Sequence, residues 1–275
     1  MELPSITVVT PSYNQGGYIA ETIRSVAEQN YPNLEHLVID AKSTDQTLEV
    51  LAGFAHLPDL RWISEKDRGQ SDAINKGIRM AQGEIVGWLN SDDYYHPGAL
   101  QAIGRAFAEN PGAGLVYGAG TKVNADGSVQ KEIPFRPFDR RRLRSAFYIL
   151  QPSMFFRRDL FTQVGGLTES LHYAMDWELL LKFPKNTPMV AIPEKIAQLR
   201  CYPNTKTSTG GWQRMQEIAG IGRQFHGPLD INYLSFCARR AIAPLHNRAL
   251  QTLVDKACDR VFGVGRYMVD GWPDQ

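Results

Sequence analysis

Ile85-Val86-Gly87-Trp88-Leu89-Asn90-Ser91-Asp92-Asp93 joins five apolar residues to four polar ones, the last two carboxylates. The apolar part is short and bounded by turn-forming residues, so it reads as a buried strand. Strands of that kind sit inside parallel sheets covered by helices, and the flanking sequence supplies them. Residues 71–81 upstream and 97–110 downstream read as helices, the second with Pro97 at a favoured early position. Further out, residues 6–10, 34–40 and 60–64 are predicted strands and 18–29 the first helix. Thr44 and Asp45 are capping candidates for the helix between the second and third strands. Residues 1–110 are thus predicted to form βα units around a mostly parallel sheet.

Beyond residue 110 the pattern changes. Residues 115–123 and 128–133 read as a hairpin about Asn124-Ala125-Asp126-Gly127, which would make the sheet mixed. The arginine-rich stretch 136–144 reads as a solvated charged turn or as a contact for lipid or acceptor phosphate. Residues 153–156 and 189–202 are predicted strands, 176–183 a short helix, and 211 onward a helical tail broken at Gly227-Pro228. Around Arg239 and Arg240 and over 250–262 the tail is amphipathic, which suits packing on its own domain, a peripheral membrane contact or a homo-oligomer contact.

Composition narrows the function classes. The chain has 275 residues, 43% of them hydrophobic, which excludes disordered and fibrous classes. Thirty Lys and Arg balance twenty-nine Asp and Glu, so at +1 no global field favours nucleic acid. Cys201, Cys237 and Cys258 are odd in number and widely spaced, which argues against disulfides and zinc, and the six histidines lack metal-ligand spacing. Without a signal-peptide pattern or an apolar run of the ~20 residues a membrane span needs, the expected setting is cytoplasmic or peripheral on the inner membrane face.

The chemistry gathers in loops. Ligands of open α/β sheets bind at the carboxyl ends of the strands, where here come Pro11-Ser12-Tyr13-Asn14, then 40–45, 65–72 and 90–93, all polar. Asp92 and Asp93, adjacent at the end of an apolar strand, would repel one another unless a cation sat with them. Mg²⁺ or Mn²⁺ takes one or two carboxylates and completes its shell with phosphate oxygens and water, which predicts a diphosphate-bearing substrate. Neither phosphate-binding glycine pattern follows the first strand, which speaks against P-loop and dinucleotide-cofactor proteins.

These motifs fall in a recognisable series. Pro11-Ser12-Tyr13-Asn14 is followed by Asp40 with Ser43-Thr44-Asp45, then by Asp67, Gly69, Asp72, Ala73, Asn75, Lys76 and Gly77. Gly83-Glu84-Ile85, Trp88 to Asp93, Gln151 to Phe156, Gly165-Gly166-Leu167 and Tyr173 to Glu178 complete it. The series resembles family 2 glycosyltransferases of the GT-A fold. The resemblance implies a catalytic domain over 1–210, with a nucleotide-binding half to 110 and an acceptor-binding half beyond it, and a helical extension over 211–275.

It also implies roles. Asp40 would meet the nucleotide base, with Pro11, Ser12 and Tyr13 lining the same pocket. Asp72, Asn75 and Lys76 would face the diphosphate, and Asn14, Ser43, Asn90 and Ser91 belong to the same nucleotide-binding set. Asp92 would serve the ribose or the metal shell and Asp93 the metal directly, with Mn²⁺ or Mg²⁺ as cofactor. The implied reaction is inverting: a hydroxyl of a saccharide or lipid-linked saccharide attacks the anomeric carbon of a nucleotide-sugar, as in surface polysaccharide assembly. Asp176 is the candidate general base, although a plain helix cap would look the same in sequence. A sugar nucleotidyltransferase and a non-catalytic nucleotide-sugar binding module are the alternatives. Lys42 stands where relatives often have Gly, Met175 where an acid often precedes the base, and Tyr202 where His is common. Arg200 and Lys206 could supply positive charge to the diphosphate side in its place, although solvated loop charges are the default expectation.

Overall fold

The computed structural model describes residues 2–145, 147–203, 205–242 and 253. The predicted segment 250–262 and Cys258 otherwise lie outside the described residues, as do residues 243–249. The chain divides into two compact units, one holding the sheet and the other helical.

The sheet-bearing unit takes in the described residues up to 138, with 149–170 and 183–201. In chain order its first elements are β1 (Ile6–Ser12), α1 (Ile19–Ala27), β2 (Leu34–Asp40), α2 (Thr47–Gly53), β3 (Leu60–Ser64), α3 (Gln70–Met80) and β4 (Ile85–Trp88). They form the predicted βα repeats, and β3, β2, β1 and β4 are neighbours, all parallel. Two-residue β5 (Tyr94–Tyr95), α4 (Ala99–Glu109) and the antiparallel hairpin of β6 (Leu115–Val123) and β7 (Val129–Ile133) follow. The predicted start of α4 at Pro97 moves to Ala99 because Gly98 has φ of +78°, outside helical space.

Next in the chain comes α5 (Arg140–Ser145), which belongs to the helical unit, and then β8 (Met154–Arg157) and α6 (Arg158–Gln163). The helical unit also holds α7 (Met175–Lys182), whereas β9 (Met189–Arg200) returns to the sheet. Strand order is β3-β2-β1-β4-β8-β6-β9-β5, with β7 on β6. The sheet turns mixed at β8, which runs antiparallel to both β4 and β6, while β9 returns parallel to β6.

Its core is made by the strands the apolar runs predicted. Ile6, Val8, Val9, Val38, Ile85, Val86 and Phe155 are wholly buried, each worth roughly 1.5–3 kcal/mol when removed from water. Helix α3 lies close on β1 because Gly77 has no side chain: a Cβ there would stand 2.4 Å from Val9 Cγ1. One ring interrupts this apolar set. His36 is buried beside Thr10, its Nε2 2.9 Å from the hydroxyl, and burial pushes its pKa down to about 3.

The helical unit comprises described residues of 139–148, 171–182 and the chain from 202. The arginine-rich stretch forms α5 because Asp139 caps it, its Oδ1 accepting the N–H groups of Arg141 and Arg142. After α7 the unit continues with the short α8 (Lys206–Thr209), α9 (Gly211–His226) and α10 (Ile231–Ile242). The predicted break falls between α9 and α10, where Gly227 has φ of +88° and Asp230 Oδ1 accepts the N–H of Asn232 at 2.8 Å. No described helix is long and apolar enough to cross a membrane.

Candidate active site

In the sheet-bearing unit, the register of β1 on β2 pairs Ser12 with Asp40, so both strands deliver their following loops at one level. The two loops are tied together. The N–H of Asn14 donates to Ser43 Oγ at 2.8 Å, and the N–H of Thr44 donates to Asn14 Oδ1 at 2.8 Å. Asn14 and Lys42 both adopt left-handed backbone, with φ of +51° and +57°. Glycine enters that region without steric cost, so Lys42 holds a conformation that glycine would adopt more readily.

Asp40 is wholly buried and engaged by its own chain. It accepts the N–H and hydroxyl of Ser43 and, at 2.6 Å, the hydroxyl of Ser64 on the next strand. Ser12 is the opposite case: its Oγ is buried with no hydrogen-bond partner among the described residues, a cost that a bound polar ligand would offset. Tyr13 beside it is 60% exposed, and Pro11 is buried.

Helix α3 brings three of the expected diphosphate-facing residues. The Asp72 carboxylate accepts the N–H of Arg68 at 3.0 Å and pairs with its guanidinium, which also reaches Glu169 at 2.8 Å. Lys76 pairs with Glu65 at 2.7 Å. Asn75 turns toward Gly166 and Leu167: its Nδ2 donates to the Leu167 carbonyl and its Oδ1 accepts the Leu167 N–H, both at 2.9 Å. Gly166, with φ of +70°, leaves room for this, since a Cβ there would lie 2.8 Å from Asn75 Oδ1. The amide therefore holds the 165–167 turn to α3.

After β4 comes a network around the acid pair. Asn90 donates to Asp93 Oδ2 at 3.0 Å and accepts from Gln70 Nε2 at 2.7 Å, and buried Ser91 lies between the two acids and the strand. Asp93 is 2% exposed, and its other oxygen accepts the Arg200 N–H at 2.9 Å. Burial and the neighbouring charge of Asp92 hold the Asp93 carboxyl well above the usual range, against the lowering effect of these donors and of the Arg200 cation. Asp92 keeps part of its surface open.

Arg200 is a correction. Expected as a solvated loop charge, it is 5% exposed at the end of β9. Its Nε donates to the Asp92 carbonyl at 3.0 Å and Nη1 to the Ala125 carbonyl at 2.6 Å, and Nη2 pairs with Glu21 on α1. The guanidinium carbon lies 5.0 Å from the Tyr18 ring centroid and 5.1 Å from that of Tyr94. Sequence held only a weak signal for this: a single Arg closing a strand-like run, with aromatics far off in the chain.

In the helical unit, Asp176 is the second residue of α7 and its Oδ1 accepts the N–H of Trp177 at 2.8 Å. The residue is partly exposed, but protein crowds the carboxyl, and loss of hydration pushes it up to about 6. The Trp177 N–H and the charges of Arg214 and Lys206 oppose that rise. The indole N–H of Trp177 donates to the Leu143 carbonyl of α5 at 2.7 Å.

Two chemistries can be read from these residues. Strand-end acids with an unpartnered hydroxyl offer oxygen donors for a cation and a polar ligand. Among the described residues no group of three His, Cys, Asp or Glu could hold a metal, so an ion at Asp92 and Asp93 would draw its remaining ligands from substrate and water, as Mg²⁺ and Mn²⁺ do. The raised Asp93 and the like charge beside it fit such a cation. Asp176 offers a proton acceptor poised near neutrality.

The sheet, parallel over four strands with polar loops at their ends and continued by an antiparallel strand and a hairpin, is the GT-A arrangement of the solved structures it superposes on. The family model for "Glycosyl transferase family 2" matches residues 7–165, more than half of the chain, and the chain belongs to that family. The chondroitin synthase of Escherichia coli is 29% identical over 208 residues, 75% of this chain but only 30% of the synthase, so the chain spans less than a third of that relative. Among solved structures, S. aureus TarS 1-349 in complex with UDP-GlcNAc superposes with a TM-score of 0.69 at 18% identity, covering 94% of this chain and 81% of TarS. The mannosyltransferase PcManGT of Pyrobaculum calidifontis, in complex with GDP-Man and Mn²⁺, gives 0.65 at 20% identity over 98% and 86% of the two chains.

Proposed function

We propose that this chain is a glycosyltransferase that takes its sugar from a nucleotide-sugar and works by inversion, with Asp176 as the general base that takes the proton of an acceptor hydroxyl while that oxygen attacks the anomeric carbon of the donor. The observation that carries the reading is the carboxyl of Asp176, raised to about 6 and fixed by the Trp177 N–H, since a base acts best when its pKa lies near the working pH. The catalytic domain is residues 1–210, and the chain from 211, which begins with α9 and α10, is its extension. The acceptor is a saccharide or lipid-linked saccharide; kinship with a polysaccharide synthase supports a sugar hydroxyl as nucleophile.

Asp92 and Asp93 would hold Mn²⁺ or Mg²⁺, Asp92 being the partly exposed member of the pair. When bound, the ion would offset charge on the departing diphosphate. Ser12, Tyr13 and Asn14 would contact the nucleoside, with the unpartnered Ser12 hydroxyl as the firmest of these contacts. Asp40 and Ser43 shape the same loop, and Asp72, Lys76 and Asn90 line the diphosphate side.

The test is transfer by Asp176→Asn. We expect a loss of about 10²–10⁴-fold in kcat with donor affinity retained. Wild-type turnover would remove Asp176 as base. Calorimetry with and without Mn²⁺ checks the acid pair separately: Asp92→Asn should abolish the metal dependence of donor binding, and its survival would reassign the ion.

A further inference from the structure

We propose that Glu217, on α9 and outside the residues the family model covers, is a positioning residue that sets the orientation of Asp176; the inference rests on the reading of Asp176 as base. The Glu217 carboxylate accepts backbone N–H groups from three consecutive residues. His172 reaches its two oxygens at 3.0 and 3.1 Å, Tyr173 donates at 2.7 Å, and Ala174 at 3.3 Å. These are the last residues before α7, and Asp176 follows two positions later.

The local sequence leaves these N–H groups to an outside acceptor. The N–H of Ala174, at the capping position of α7, is one of the four that a helix start leaves without an intrahelical partner, and those of His172 and Tyr173 lie before the helix. The nearest acid, Asp176, has its Oδ1 on the N–H that follows it. Glu217 thus supplies the acceptor from forty-three to forty-five residues away. Negative charge at a helix start is also favoured by the helix dipole.

The same face of α9 makes two further links. Arg214, one turn before Glu217, bears on the charge of Asp176. At the start of α9 the backbone comes so near Tyr173 that a Cβ on Gly210 would lie 2.9 Å from its Cε1. Segment 172–174 is therefore gripped by α9 through its N–H groups and its ring, and any rotation of it swings the carboxyl of Asp176. Displacing a catalytic group by about 1 Å can cost roughly 100-fold in rate without touching ligand affinity elsewhere.

The test uses the full chain with four variants: Glu217→Ala, Glu217→Gln, Asp176→Asn and the double Glu217→Ala/Asp176→Asn. Each is measured for kcat, donor KM, donor affinity by calorimetry and Tm. Glu217→Ala is expected to lower kcat by about 10- to 100-fold with donor affinity within about twofold. Glu217→Gln keeps one oxygen for the three N–H groups and should recover most of the loss. In the Asp176→Asn background, removal of Glu217 should cost nothing further in kcat. Wild-type kcat in Glu217→Ala, or a further loss in the double variant equal to that of the single, overturns the proposal. Should Glu217→Ala melt below assay temperature, Glu217→Asp, one methylene too short, takes its place with the same expected split. Wild-type turnover in Asp176→Asn alone overturns instead the reading of the base.

Discussion

Asp93 after β4 and Asp176 in α7 are both carboxyls raised by burial, yet they are held in different ways. Asp93 belongs to a network internal to the sheet-bearing unit: Asn90 and the Arg200 N–H each occupy an oxygen, and the like charge of Asp92 presses on it. Asp176 meets one donor from its own helix, feels cations instead of another acid, and sits on a segment fastened by α9. Burial alone therefore does not tell a scaffold acid from a reactive one. Asp40 makes the point at the far limit, wholly buried with its carboxylate shared between Ser43 and Ser64. Strand-end acids organise loops, whereas the α7 acid is presented.

The largest expected effect tests whether the strand-end network is as self-contained as its geometry. Arg200→Met removes the cation beside buried Asp93 and the ties to Asp92, Ala125 and Glu21. Breaking a buried charge arrangement on one side costs about 3–5 kcal/mol, with the lower end expected here because Glu21 is half exposed and can return to water. Urea unfolding should show that loss, and Mn²⁺ titration followed by paramagnetic resonance should show weakened binding. An Arg200→Met chain of unchanged stability would mean that Asp93 is held by Asn90 and backbone alone.

The second effect concerns pH, where stability and activity run in opposite directions at Asp176. With its folded pKa raised to about 6 from an ordinary 3.8, Asp176 is more readily protonated in the folded than in the unfolded chain. Its contribution is thus most favourable at low pH and is lost as pH rises through about 6. Activity runs the other way, since a base must be ionised. The rate should fall about tenfold per pH unit below the base pKa, and Asp176→Asn should raise Tm at pH 7.5 relative to wild type while losing that advantage at pH 4.5. Equal Tm differences at both pH values would show that Asp176 is not desolvated.

His36 adds an opposite trend that must be separated out. Its folded pKa of about 3 lies below the ordinary 6.5, so the unfolded chain binds the extra proton and stability falls as pH drops below about 6.5. The loss is about 1.4 kcal/mol per pH unit while only the unfolded ring is protonated. His36→Gln should flatten this slope between pH 4 and 6, as read from Tm against pH.

How far these regions were legible in sequence follows from the range of the interactions that make them. β2 and β3 were readable to the residue because apolar runs bounded by turns carry their own signal. β5 was not, for Tyr94 and Tyr95 are strand only through pairing with Ala197 and Gln198 about a hundred residues on. The loops that carry the expected site follow from the strand ends, but Asn75, expected to face a ligand, is engaged with the Leu167 backbone, a contact no local pattern encodes. Arg200 read as solvated because its partners come from α1, the 92–93 loop and the hairpin turn. Glu217 was invisible for a related reason: the N–H groups it accepts lie forty-three to forty-five residues away, and backbone donors leave no motif.

The smallest effect lies within the strand-end region, at Lys42. Its φ of +57° costs an L-residue about 1 kcal/mol, a strain that glycine lacks. Glycine also loses more freedom on folding, which returns roughly 0.5–1 kcal/mol of that gain. Lys42→Gly is thus expected to stabilise by at most about 0.5 kcal/mol, or a rise in Tm of about 1–2 °C. The side chain is exposed and the loop is already fixed by Asn14, Ser43 and Thr44, so donor affinity should stay unchanged. If affinity falls instead while Tm rises, the strain at position 42 is being held in place to bring an ammonium to the ligand, and the strand-end region would then present a reactive group as α7 does.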